Sequence, residues 1–231
     1  MAAPIGHIYL ALKLLAGPLQ GVDMQEFVLG TSFPDIRYWA HVPREYTHLP
    51  VNDFNEILQE PSAFRAGMLF HSFVDNQRYN YFAKKPAIRI ANIIDYNGFL
   101  MKTVEDIILF PLIRDKISDK NFISYFDTIL PEENLLIGNS TLINQWHTLL
   151  QNYFKEGPTL GYLNKTFHPT EQPSRLKQIG AAIFYALSNR LAAMETIQKN
   201  VIAFYNNFDA IAQKASGEQI PSSTEATYVT T

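Results

Sequence analysis

The chain has 231 residues, 47% apolar and 18% charged, with 19 Lys and Arg against 22 Asp and Glu for a formal net charge of −3. This composition excludes a wholly disordered chain and offers no basic patch for nucleic acid, while no apolar run reaches the ~18 residues of a transmembrane span. Cysteine is absent, which removes disulfides, thiolate metal sites and thiol nucleophiles together.

The apolar period is helical nearly throughout. Residues 8–15 carry Ile8, Leu10, Leu12, Leu14 and Leu15 and predict a short helix that stops at Gly17-Pro18. A second short helix fits 24–29 and ends at Gly30. Residues 31–52, with Pro34, Pro43 and Pro50, read as an irregular loop, and loops of that length inside a domain are often functional. A long helix starts after Pro61, with Phe64, Met68, His71 and Asp75 on one stripe at i, i+4 spacing. Pro86 opens another long segment, in which Ile90, Ile93, Ile94, Phe99, Leu100, Val104, Ile107 and Ile108 form an apolar face and Pro111 ends or kinks the helix.

In the second half, Asp119 caps a helix through residue 130, and 138–153 form another. Residues 174–214 read as one long helix or two joined pieces, with Ile179, Ile183, Ala186, Leu187 and Leu191 as core candidates. The tail beyond Gly217 turns to Ser, Thr, Glu and Gln and is expected to be flexible. With no persistent strand pattern, the expected fold class is all-α.

The chemistry concentrates in the first half. Of six histidines, His7, His41, His48 and His71 precede residue 72. His71-x-x-x-Asp75 places an imidazole and a carboxylate on the same side of a helix, a spacing that holds a metal without bending the backbone, although such a pair also forms simply to hydrogen bond. Gly67, one turn before His71, leaves room for close approach. Pro34-Asp35 presents an acid on a stiffened backbone, Thr47-His48-Leu49-Pro50 is a second rigid spot, and His7 follows Gly6. The ordinary readings are a helix cap for Asp35 and exposed imidazoles at 7 and 48. Arg37, beside Asp35, suits phosphate, and His41 lies near enough in sequence to meet a substrate. His147 and His168 stand apart from this set.

The ordered set Gly6-His7, Gly30-x-x-x-Pro34-Asp35, Thr47-His48 and Gly67-x-x-x-His71-x-x-x-Asp75 resembles the zinc-dependent phospholipase C family, whose fold is shared with the fungal single-strand nucleases, over about residues 4–110. The resemblance places the metal site in 4–110, and with the helical reading of the rest the chain is expected to form a single helical domain over 1–215, with further C-terminal helices in 119–215 and a polar tail in 216–231. The resemblance implies His7, Asp35, His48, His71 and Asp75 as zinc ligands; Asp35 is then the candidate catalytic group, and Arg37 and His41, near it in sequence, are the candidate substrate contacts. The implied activity is hydrolysis of a phosphodiester or a phospholipid headgroup by a metal-activated water.

The chain departs from that pattern in three places. The family's mature N-terminal Trp has no counterpart, no His lies between Asp75 and Pro111, and Met101-x-x-x-Glu105 stands where a closing His-x-x-x-Glu would fall. Glu105 then becomes a possible sixth ligand, and one or two zinc ions are expected rather than three. A helical binding module that has lost catalysis is the alternative. A helical phosphohydrolase built on a His-Asp doublet ranks last, because no such doublet occurs. The N-terminus has no basic stretch leading into a long apolar run, so no secretory signal is read and a cytoplasmic protein is expected.

Overall fold

The computed structural model describes residues 4–85, 99–162 and 174–216, and among these it is all-helical, with no strand. Ile90, Ile93, Ile94, His168 and the tail beyond Gly217 lie outside the described residues. No helix among the described residues is long and apolar enough to cross a membrane.

Helix α1 (Pro4–Leu15) begins on a proline, whose missing N–H costs nothing in a first turn, and buries Ile5, His7, Ile8, Ala11 and Leu14. Helix α2 (Met24–Ser32) is capped by Asp23, whose carboxylate accepts from Glu26 N at 2.9 Å. It does not end at Gly30 as the sequence predicts. Gly30 is there for packing: a Cβ on it would lie 2.0 Å from the Phe64 carbonyl oxygen of α5 (Ala63–Phe82). A Cβ on Gly67 of α5 would lie 2.4 Å from Phe27 O and 2.6 Å from Thr31 N. The two helices therefore cross backbone against backbone, a separation open only to residues without a Cβ.

The stretch expected as an irregular loop is mostly short helical turns: a 3-10 turn (Phe33–Ile36), α3 (Arg37–Ala40) and a second 3-10 turn (Arg44–Tyr46). Side chains at i and i+3 eclipse in a 3-10 turn, so Phe33 and Ile36 enter the core together. Helix α4 (Phe54–Gln59) opens on an Asp53–Glu56 capping box, and Ser62 caps α5.

Helix α6 (Phe99–Ile117) runs past Pro111 instead of stopping there. Burial of Leu109, Ile113 and Ile117 on both sides of the proline carries it across the lost hydrogen bond. The helix predicted from Asp119 to 130 is shorter: α7 (Lys120–Ser124) passes into a 3-10 turn (Tyr125–Asp127). Pro131 forces Leu130 into extended backbone and opens α8 (Pro131–Ile137). Gly138, at φ +66°, closes α8, and Asn139 caps α9 (Ser140–Glu156).

The last predicted segment divides into α10 (Arg175–Ala192), α11 (Glu195–Asn206) and α12 (Phe208–Ser216). Here the predicted core face is corrected. Ala181, Ser188 and Ala192 are buried, whereas Ile179, Ile183 and Ala186 are exposed and Leu187 and Leu191 half-buried. Small residues let α10 lie close on α6, where Phe184 meets Phe99 at 5.2 Å between ring centroids. Periodicity marks a face as apolar without saying which apolar face turns inward.

The helix crossing sets a first test. Gly67→Ala pushes a methyl into the α2 backbone and should cost about 2–3 kcal/mol. Gly180→Ala, with nothing within 4 Å of the added methyl, should instead gain about 0.5–1 kcal/mol from helix propensity. Urea midpoints at constant m-value measure both.

Candidate metal centre

Two α-helices and two 3-10 turns deliver one cluster, buried except for half-buried Asp75: His7 on α1, Asp35 in the first 3-10 turn, His48 just after the second, and His71 and Asp75 on α5. The His7 ring stacks on His71 at 4.1 Å with 12° between planes, and His48 meets His71 edge-on at 5.0 Å. His7 Nε2 lies 3.6 Å from Asp75 Oδ1. His48 Nε2 lies 3.8 Å from Asp75 Oδ2 and 4.0 Å from Asp35 Oδ1. His71 Nε2 lies 3.8 Å from Asp75 Oδ2 and 4.0 Å from Asp35 Oδ2.

The surroundings choose which ring nitrogen faces the carboxylates. His71 Nδ1 donates to the Thr31 carbonyl at 2.8 Å, a contact made possible by the glycine crossing. Thr47 Oγ1 donates to Arg44 O at 3.5 Å and so accepts from His48 Nδ1 at 3.1 Å. In both rings Nε2 is left open to a proton or a cation, the arrangement in which an outer partner orients a metal-binding imidazole. His48 Nε2, His71 Nε2 and Asp75 Oδ1 are buried and make no hydrogen bond. Buried polar atoms without partners are costly, and a cation among them removes that cost.

The donor set fits a metal. Ligand atoms around a tetrahedral ion with bonds of about 2.0–2.2 Å stand about 3.3–3.6 Å apart, so the observed 3.6–4.0 Å separations need only a small contraction. Two triads, His7–His71–Asp75 and Asp35–His48–His71, each hold their ligand atoms within 4.8 Å of one another. They share His71, whose Nδ1 belongs to Thr31, so its Nε2 serves one ion only. Imidazole and carboxylate without thiolate suit zinc and other first-row divalent ions.

Electrostatics keep the cluster ready for a cation. Burial alone would raise the carboxyl groups of Asp35 and Asp75, but the positive groups around them reverse this. His71 and Lys102 hold Asp35 well below the usual carboxylate range, and Lys102, His71, His7 and Arg78 do the same for Asp75. Burial, with His71 beside it, pushes the His48 imidazole down to about 3. At neutral pH this leaves two carboxylates and an unprotonated His48. Arg44 Nη2 reaches Asp75 Oδ2 at 3.4 Å from the half-exposed rim. A shallow cleft with room for about one water molecule, open to solvent at its mouth, is lined by His7, Asp35 and His71 together with Trp146 and Leu150.

The remaining sequence candidates go elsewhere. Glu105 is fully buried behind α1, where Arg78 Nε donates to its two oxygens at 2.9 and 2.8 Å and Tyr205 OH donates at 2.8 Å. It belongs to neither triad. Arg37 lies 4.1 Å over the Tyr38 ring, and exposed His41 ends α3 at φ +52°. His147 is buried between Glu133, at 2.8 Å, and the Phe126 carbonyl, at 3.1 Å. Sequence reasoning missed Arg44 and Lys102, which no spacing marks, and Asp106. Asp106 accepts from Gly6 N at 2.9 Å and from Tyr153 OH at 2.6 Å, pinning the turn that carries His7. Compared with known proteins, the chain matches no family model, no curated protein and no solved structure.

A pH test follows for the chelated protein. Folded His48 titrates at about 3, below its unfolded value near 6.5. Unfolded chains therefore bind more protons in that window, and this contribution to stability is lost as pH falls through it. Asp106, pushed up to about 8 by burial, acts with the opposite sign between about 4 and 8. The difference between wild type and His48→Gln isolates the histidine: between pH 6.5 and 4 the urea midpoint of the variant should fall less steeply.

Proposed function

We propose that the chain is a metal-dependent hydrolase of the zinc-dependent phospholipase C type, acting on phosphodiesters or phospholipid headgroups. The observation that supports this reading is the buried cluster in which His48 Nε2, His71 Nε2 and Asp75 Oδ1 face one another without hydrogen bonds. Burying two ionised carboxylates among three imidazoles is a poor way to stabilise a core and a good way to hold a cation. His7, His48, His71, Asp75 and Asp35 would hold one or two zinc ions. Bound zinc with an open coordination position supplies a water of pKa near 7 and stabilises charge on a phosphoryl oxygen.

The chain's own groups do the rest. Asp35, kept ionised, accepts a proton from the attacking water or orients it. Arg44, at the rim and only loosely held by Asp75, offers a planar guanidinium to a phosphate oxygen. Trp146 and Leu150 line the same cleft and exclude bulk water.

The second reading, a helical binding module that keeps the fold without catalysis, draws on Glu105 and Met101. Arg78 and Tyr205 occupy the Glu105 carboxylate, and Met101 is fully buried in the core.

Elemental analysis and hydrolysis assays separate the readings. Purified protein should carry zinc, and His71→Ala should lose most of it. With zinc present, bis(p-nitrophenyl) phosphate or phosphatidylcholine should be cleaved, about 100-fold more slowly by Asp35→Asn. Arg44→Gln should raise KM about tenfold at unchanged zinc content. Zinc bound without cleavage of any phosphodiester supports the binding module, and no zinc after supplementation overturns the hydrolase.

A further inference from the structure

The outward face of α10 carries a line of exposed aliphatic residues. Leu176, Ile179 and Ile183 are 79%, 49% and 65% exposed, at i, i+3 and i+7, and exposed Ala186 continues the line. These are residues that the apolar pattern assigns to a core. The core side is already taken: Ala181, Ser188 and Ala192 lie on roughly the opposite face, packed on α6. The ridge is therefore a second apolar face.

Its charge is one-sided. Arg175, Lys177 and Arg190 are exposed, and no Asp or Glu occurs anywhere in α10. That is a helix of +3 in a chain of net charge −3. Arg175 and Arg190 stand at the two ends of the ridge. A second copy pairing along it antiparallel about Ile183 would set Arg175 of one chain beside Arg190 of the other, and a parallel pair would set each arginine beside its twin. Either arrangement puts like charges together. A ridge of aliphatic side chains bounded by cations instead suits the boundary between headgroups and acyl chains of an anionic bilayer.

We propose that α10 docks the protein on an anionic lipid surface, with Leu176, Ile179 and Ile183 entering the acyl boundary and Arg175 and Arg190 on lipid phosphates. This assignment uses no residue of the metal centre and stands whether or not the chain is a hydrolase.

Co-sedimentation of the full chain with vesicles tests it. Vesicles of phosphatidylglycerol and phosphatidylcholine should pellet the protein, and vesicles of phosphatidylcholine alone should not. Ile179→Glu with Ile183→Glu should abolish binding while leaving zinc content and thermal midpoint unchanged, because both positions face solvent. Arg175→Gln with Arg190→Gln should weaken partitioning about tenfold, and added salt should do the same to wild type. Absence of binding at low salt overturns the proposal. So does a concentration-dependent dimer that the isoleucine variant dissolves in the absence of any vesicle binding, which would assign the ridge to a second copy. Equal binding by wild type and the isoleucine variant also overturns it.

Discussion

The close crossing of α2 and α5 is the constraint on which the site depends. Gly30 and Gly67 bring two helix backbones within a distance that any side chain would forbid. That approach carries the Thr31 carbonyl to His71 Nδ1. One contact then sets the ring orientation, leaves Nε2 facing the carboxylates and places Asp75 one turn further along the same helix. The first 3-10 turn follows directly from the end of α2, so the position of Asp35 is inherited from the same crossing. Widening it by a methyl would displace Asp35, just beyond the end of α2, together with His71 and Asp75 on α5.

The cluster is also a concentration of unfavourable terms. Two ionised carboxylates and three imidazoles are removed from water with few hydrogen bonds among them, and each would cost free energy alone. Cations distribute that cost around the site: Lys102 from α6, Arg78 from the next turn of α5 and Arg44 from the rim all act on Asp75. Arg78 is engaged by Glu105 and so serves as a fixed charge, whereas Arg44 is half-exposed and free to exchange Asp75 for another anion. The carboxylates of the cluster are thus held ionised by their surroundings, the state that holding a cation would require.

Much of this was legible in the sequence, for identifiable reasons. His71 and Asp75 obey helical spacing, and spacing survives folding unchanged. Gly67 announced a close contact, whereas Gly30, read as a helix end, is shown by the structure to lie inside α2 and against α5. Pro34-Asp35 marked a stiff acid but not the 3-10 turn around it, because eclipsed i, i+3 burial over four residues is too short a pattern to separate from loop. The inward face of α10 was read wrongly because two apolar stripes on one helix give the same period. Arg44 and Lys102 were missed because long-range electrostatics leave no local pattern.

Glu105 shows how a chemically sound reading of a residue can be displaced by its neighbours. A carboxylate on a helix near the site is a natural ligand, and its distance along the chain from His71 and Asp75 fits the expected pattern. Yet a fully buried carboxylate takes the strongest partner within reach, and α5 presents Arg78 one turn after Asp75. Once that bidentate pair forms, Tyr205 completes the acceptor sites, and the missing Cβ of Gly6 makes room for the tyrosine hydroxyl against α1. Asp106, next in sequence, takes Gly6 N from the other side with Tyr153. Adjacent carboxylates thus tie α5, α6, α9 and α11 to the turn that holds His7. They support the centre through the backbone of its first ligand, where sequence spacing would have put one of them on the ion.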